Sequence, residues 1–180
     1  TGWPSVAESI QVARDIDLAE FTGSRIHIMH ISTQASVNFV RQAKARGVKV
    51  SCEATPHHLA LTLDACSQYD THSKCNPPLG TETDRQALIE ALLDGTIYVV
   101  ATDHDPHTVI EKDLMFTDAP NGLIGMETAF GVLNTALVKP GIIGLSALIE
   151  KMTINPSRLL GLGKGTLDDG ATADVAVFDT

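Results

Sequence analysis

Three short runs rich in apolar and β-branched residues, "RIHIMHIS", "VKVSCEAT" and "TIYVVATD", each follow a segment whose apolar residues recur at helical spacing. Those segments are "PSVAESIQVARDIDLAEF", "SVNFVRQAKARG" and "TDRQALIEALLDG", and a glycine (Gly23, Gly47, Gly95) stops each one. The order is therefore αβαβαβ. A helix between successive strands is a crossover, so the strands run parallel, and right-handed connections place them side by side under a helical layer. Downstream, "GMETAFGVLNTALV" and "SALIEKMT" read as helices, and Asn155 is expected to cap "SRLLGL" with Pro156 at its first position. The closing "GTLDDGATADVAVFDT" changes to turn residues followed by alternating apolar positions, as in a small β unit.

Both ends look cut. The first residues enter a helix with no strand before it, and the last stop inside an apparent strand. At least one parallel edge is then left open, a hazard that natural domains cover. The chain is expected to be a piece of a larger protein. Its 180 residues, 43% hydrophobic, nevertheless suffice for a real core. Thirteen basic residues against 22 acidic ones give a net charge of -9, and the Lys and Arg are scattered, which argues against a nucleic-acid partner. No run approaches the ~20 apolar residues of a membrane span, and Thr1-Gly2-Trp3-Pro4 lacks a signal-peptide pattern, so no membrane partner and a cytoplasmic location are expected. Cys52, Cys66 and Cys75 are odd in number and lack C-x-x-C spacing; they read as reduced thiols, not as a disulfide framework or a thiolate zinc site.

All seven histidines lie between His27 and His107, mostly at the C-terminal ends of the strands or just beyond, the face where parallel α/β proteins build active sites. In "IHIMHIS" the two histidines are three apart and point to opposite faces of a strand. His30, nearer the end, is the better ligand candidate, with His27 facing the helices. Asp103 ends its own strand in "YVVATDHDPH", and with His30 it makes a mixed imidazole and carboxylate pair of the sort that holds zinc or a similar divalent ion. Of His57 and His58 in "TPHHL", one is expected to be hydrogen-bonded near the site and one on the surface. Glu53 is expected either to orient a ligand or to pair with a base. Asn76 in "KCNPPLG" sits in a proline-stiffened loop where its amide could meet a polar substrate group; His72 and His104 read as structural or exposed.

The motifs "HIMHIST", "EATPHHLALT", "KCNPPLG", "ATDHDPH", "APNGLIGMETAF", "TINPSRLLGL" and "GTLDDGATADVAVFD", in that order, resemble the second half of class I dihydroorotases of the amidohydrolase superfamily. The resemblance implies an α/β fold: the C-terminal part of a (β/α)8 TIM-like barrel, strands 6 to 8 with their helices, over residues 1–163. Residues 164–180 would start a returning β-sandwich segment. It implies one or two zinc ions, with His30 and Asp103 as ligands and the remaining ligands upstream of this chain. Asp103 would be catalytic as proton carrier. Asn76 and His107 would bind the substrate carboxylate, and Pro120, Asn121 and Gly122 would touch the substrate ring. The implied reaction interconverts L-dihydroorotate and N-carbamoyl-L-aspartate in pyrimidine biosynthesis, with this piece inactive alone and a homo-oligomer or aspartate transcarbamoylase as the larger setting. Two alternatives stand beside it: another cyclic amidohydrolase (dihydropyrimidinase, hydantoinase or allantoinase), and a non-catalytic scaffold partner of aspartate transcarbamoylase. Two residues depart from the pattern. Gly80 stands where many such proteins carry Arg, and Asp105 replaces a small residue and is expected to point away or pair with a base.

Overall fold

The computed structural model describes residues 3–179. Helix α1 (Ser5–Thr22) begins after Pro4 and ends at Gly23, whose φ of 68° is the left-handed turn that a glycine accommodates without steric cost. It leads into β1 (Ile26–Ile28); α2 (Gln34–Ala45) then crosses to β2 (Val50–Ala54). A short helix, α3 (Pro56–Ala60), follows directly, and α4 (Glu82–Leu93) crosses to β3 (Val99–Val100). Both long crossover helices start on threonine caps: Thr33 accepts from the Ser36 amide, and Thr81 forms a reciprocal box with Asp84. The strands pair in parallel in the order β1-β2-β3.

Along β2, Val50, Cys52 and Ala54 are buried, and they alternate with half-buried Ser51 and Glu53. The buried set packs with Val37 and Val40 of α2 and Leu88, Ile89 and Leu92 of α4 in one core, so the helices cover one sheet face. The opposite face carries His27, Ser51 and Glu53.

Beyond β3 come α5 (Val109–Lys112), α6 (Ala129–Leu133) running into a π-helical turn over Asn134–Val138, α7 (Leu145–Met152) and α8 (Ile154–Leu160). Leu133, Leu137 and Leu148 close the core from this side. Asn155 is not the cap of α8. It lies within the first turn, and its side-chain amide donates to the Tyr98 carbonyl at 3.0 Å, tying α8 to the start of β3. The segment 162–179 forms no strand. It has no neighbouring strand among the described residues, so its alternating valines stay exposed, and it is held by the Lys164–Asp174 ion pair (2.8 Å) and by Phe178 against Phe130 at 4.2 Å between ring centroids.

Candidate active site

The C-terminal edge of the sheet gathers the chemistry. His30 and Asp103 each sit two or three residues past a strand, half-buried, in the left-handed backbone region, with φ of 35° and 47°. Tyr69 is the one other non-glycine residue at positive φ among those described. Side chains rarely adopt this conformation, and where they do it clusters at functional sites. Neither the His30 ring nor the Asp103 carboxylate takes a hydrogen bond among the described residues. His58 lies close enough to both that each acts on its ionisation.

Two cavities open here. One, about 410 Å³, lies between α1, β1 and the 76–80 loop and includes His30; the other, about 320 Å³, is lined by Asn76, Asp103, Asp105, Asn121 and Gly122. Asn76 borders both. Four of the residues expected from the sequence thus share one cavity, with His30 across Asn76 in the next.

The loop that carries Asn121 and Gly122 is fixed from several sides. The Lys112 ammonium, with its residue 7% exposed, donates to the carbonyls of Thr71 (3.1 Å) and Pro120 (2.9 Å), and Lys74 donates to the Ala119 carbonyl. Burial pushes the Lys112 pKa down from its usual value. The Gly122 amide donates to the Lys74 carbonyl at 2.9 Å; its φ is 137°, and a Cβ there would fall 2.6 Å from the Asp105 carbonyl oxygen, so the close approach requires glycine. The His107 Nε2–H donates to the Asn121 carbonyl at 2.8 Å, so the ring reaches the cavity wall through the backbone of Asn121. Asp105 does not point away: it lines the cavity beside Asp103. Its carboxylate also lies 3.6 Å from His107 Nε2, the expected kind of basic neighbour. At Gly80 a Cβ would meet Asp84 Cβ at 2.8 Å, so a larger residue there requires Asp84 to shift.

Two expectations need correction. His27 does not face the helices. It pairs in register with Ser51, and its ring nitrogens lie 2.8 Å from Ser51 Oγ and 3.0 Å from Glu53 Oε2, on the face opposite the apolar core. Glu53 accordingly pairs with a base. Neither His57 nor His58 is on the surface: they are 7% and 2% exposed. Nε2–H of His58 donates to the Pro77 carbonyl at 3.0 Å, which leaves Nδ1 to accept from Thr55 Oγ1 at 2.7 Å. That fixes a neutral ring, in keeping with a pKa that burial lowers. His57 Nε2 is enclosed with no hydrogen-bond partner, and burial, then the neighbouring His58 and His30, push its pKa down to about 3. His72 is exposed and bonded to Asp70, and His104 Nδ1 accepts from the amides of Gly125 and Met126, so both are structural as expected. The cysteines are free thiols, and burial raises the pKa of Cys75 to about 12.

Sequence reasoning missed Glu8. Its carboxylate accepts from the amides of Ser32 (3.1 Å) and Thr33 (3.2 Å) and from both hydroxyls, holding the turn just after His30. An acid in the first turns of a helix gives no sign in sequence of a partner 24 residues on.

The chain is similar to known proteins along nearly its whole length. The chain is 53% identical over 178 residues to a dihydroorotase of Acetivibrio thermocellus and 51% identical to one of Geobacter metallireducens, covering 99% of this chain and 42% of each relative. It thus spans about two fifths of the length of these curated relatives. Among solved structures, an L-hydantoinase (dihydropyrimidinase) of Arthrobacter aurescens superposes with a TM-score of 0.88 at 31% identity, covering 94% of this chain and 39% of that one. A D-hydantoinase of a Thermus species gives 0.89 at 29% identity, with the same coverage. No helix among the described residues is long and apolar enough to cross a membrane. The family match runs from residue 2 to residue 180, which leaves no part of the fold or the site outside it: the chain belongs to the amidohydrolase family.

Proposed function

We propose that the chain is the second half of the catalytic unit of a dihydroorotase, which opens and closes the ring amide of L-dihydroorotate. The observation that carries this reading is the single cavity shared by Asn76, Asp103, Asn121 and Gly122, in a chain about half identical, over the length they share, to curated dihydroorotases. In this reading β1, β2 and β3 are strands 6, 7 and 8 of a (β/α)8 barrel. The polar face carrying His27, Ser51 and Glu53 is the barrel interior, residues 1–163 are barrel, and 164–180 begin a β-sandwich that other parts of the protein complete.

An imidazole and a carboxylate, free of other hydrogen bonds at the mouth of parallel strands, fit a divalent ion such as zinc, which when bound polarises the amide carbonyl and makes water available for attack near neutral pH. His30 and Asp103 would hold it, together with ligands upstream of this chain. Asp103 takes a proton from the attacking water and delivers it to the departing ring nitrogen; in ring closure it withdraws that proton again. Asn76 and His107 anchor the substrate carboxylate, and the backbone of Pro120, Asn121 and Gly122 follows the ring edge.

Asp105 supports a second reading. A carboxylate in the wall beside Asp103 disfavours an anionic substrate and suits a neutral ring such as a hydantoin or dihydropyrimidine, the substrates named for the hydantoinases that share this fold. A non-catalytic scaffold is disfavoured by the retention of His30 and Asp103 in strained, unengaged conformations. Steady-state assays of the full-length protein on dihydroorotate, N-carbamoyl-L-aspartate, hydantoins, dihydropyrimidines and allantoin decide. A kcat/KM for dihydroorotate at least tenfold above the neutral rings is expected, and the reverse preference overturns the proposal.

A further inference from the structure

We propose that His57, His58 and Cys75 form a second cation site, with ligands distinct from the nearby His30–Asp103 pair, that takes a thiophilic divalent ion such as zinc. One ligating atom from each residue lies within 4.8 Å of the other two, and all three residues are buried. The His57 nitrogen Nε2 is enclosed and has no hydrogen-bond partner, which is a rare and unfavourable state for a polar atom in a protein interior. An ion bound through Nε2 would satisfy it.

The donor set also has the right chemistry. Two imidazole nitrogens and one thiolate are borderline-to-soft ligands, the kind that select zinc over magnesium or calcium. Bond lengths of about 2.1 Å to nitrogen and 2.3 Å to sulfur place ligand atoms roughly 3.5 Å apart, so a triangle whose sides are at most 4.8 Å needs only a small closure to bind. Cys75 releases its thiol proton to solvent. His58 gives up one of its two present hydrogen bonds, to Thr55 or to Pro77. Two ligands come from α3 and the third directly precedes Asn76, so an ion here ties the loop that presents Asn76 to the end of β2.

The test is cobalt(II) titration of the metal-stripped full-length protein, read by the near-ultraviolet sulfur-to-cobalt charge-transfer band. His30 and Asp103 contribute no sulfur, so cobalt bound between them gives no such band. One equivalent of band is expected. Cys75→Ser should abolish it, Cys66→Ser should retain it, and His57→Ala, which removes only a ring with an unpartnered nitrogen, should weaken the cobalt affinity reported by the band at least tenfold. Absence of the band in the wild type, its survival in Cys75→Ser, or unchanged affinity in His57→Ala overturns the proposal. Failure of the dihydroorotase assay leaves this readout untouched, because the band reports ligation rather than turnover.

Discussion

Glu8 and Thr33, on α1 and at the cap of α2, are joined by two hydrogen bonds to the same carboxylate oxygen, from the Thr33 amide at 3.2 Å and its hydroxyl at 3.0 Å. With Ser32 engaged in the same way, four donors converge on one side chain immediately after His30. Glu8→Ala strips all four of their acceptor in a half-buried setting. It should cost about 1–3 kcal/mol in denaturant unfolding of the full-length protein and lower divalent-metal affinity, since the turn that aims His30 is no longer held. Glu8→Gln keeps one carbonyl oxygen and should fall between. Equal stability of wild type and Glu8→Ala would count against the clamp.

Asp103 makes no hydrogen bond among the described residues, so with the metal removed its carboxylate contributes little to holding the fold, and the melting comparison is made on metal-stripped proteins. Asp103→Asn should therefore melt within a few degrees of wild type while kcat falls by roughly 10²-fold or more, the scale of a lost proton carrier. Near-normal kcat in the variant excludes the role.

His107 reaches the cavity wall by donating to the Asn121 carbonyl. His107→Ala should raise KM for dihydroorotate about tenfold with a smaller change in kcat. His107→Gln, whose amide can still donate to that carbonyl, should recover part of the loss. An unchanged KM in the alanine variant removes His107 from substrate recognition.

How much of this was legible in the sequence differs by element. Helix C-terminal ends were, because the glycine stops act locally, as at Gly23; the threonine caps Thr33 and Thr81, which set the starts of α2 and α4 a residue or two earlier than the apolar spacing does, were not read. Strand lengths were not: β1 stops at Ile28 and β3 at Val100 because the chain turns through left-handed residues at His30 and Asp103, and neither residue type announces that conformation. The face of His27 was misjudged because it depends on register: opposite Ser51, the ring finds partners on the polar side, and a three-residue strand carries too little pattern to reveal this. Burial of both His57 and His58 follows from a short helix folding back under the 75–79 loop, a tertiary contact with no periodic signal. Asp103 was legible from its place at a strand end and Asn76 from its proline-stiffened loop, Asn121 and Gly122 only through motif resemblance, and the meeting of all four in one cavity follows from the parallel order of the strands.

That burial gives a pH dependence whose sign is fixed. His57 has its pKa lowered from 6.5 to about 3, and that of His58 is lowered as well, so both rings are neutral in the folded protein through the mildly acidic range. An unfolded chain binds a proton at each below about pH 6.5, which favours unfolding. Stability is thus insensitive to these groups above pH 6.5 and falls as the pH drops from there toward 3. The slope approaches about 1.4 kcal/mol per pH unit for His57, with a contribution of the same sign from His58. Carboxylates with lowered values, such as Glu82 at about 2, add acid sensitivity of the same sign, but only below their unfolded value of 4.5. Denaturant unfolding of the full-length protein between pH 7 and 5 therefore isolates the histidines. A decline over that interval that becomes shallower in His57→Gln is expected, and a flat profile in the wild type would show that these rings are not held neutral by burial.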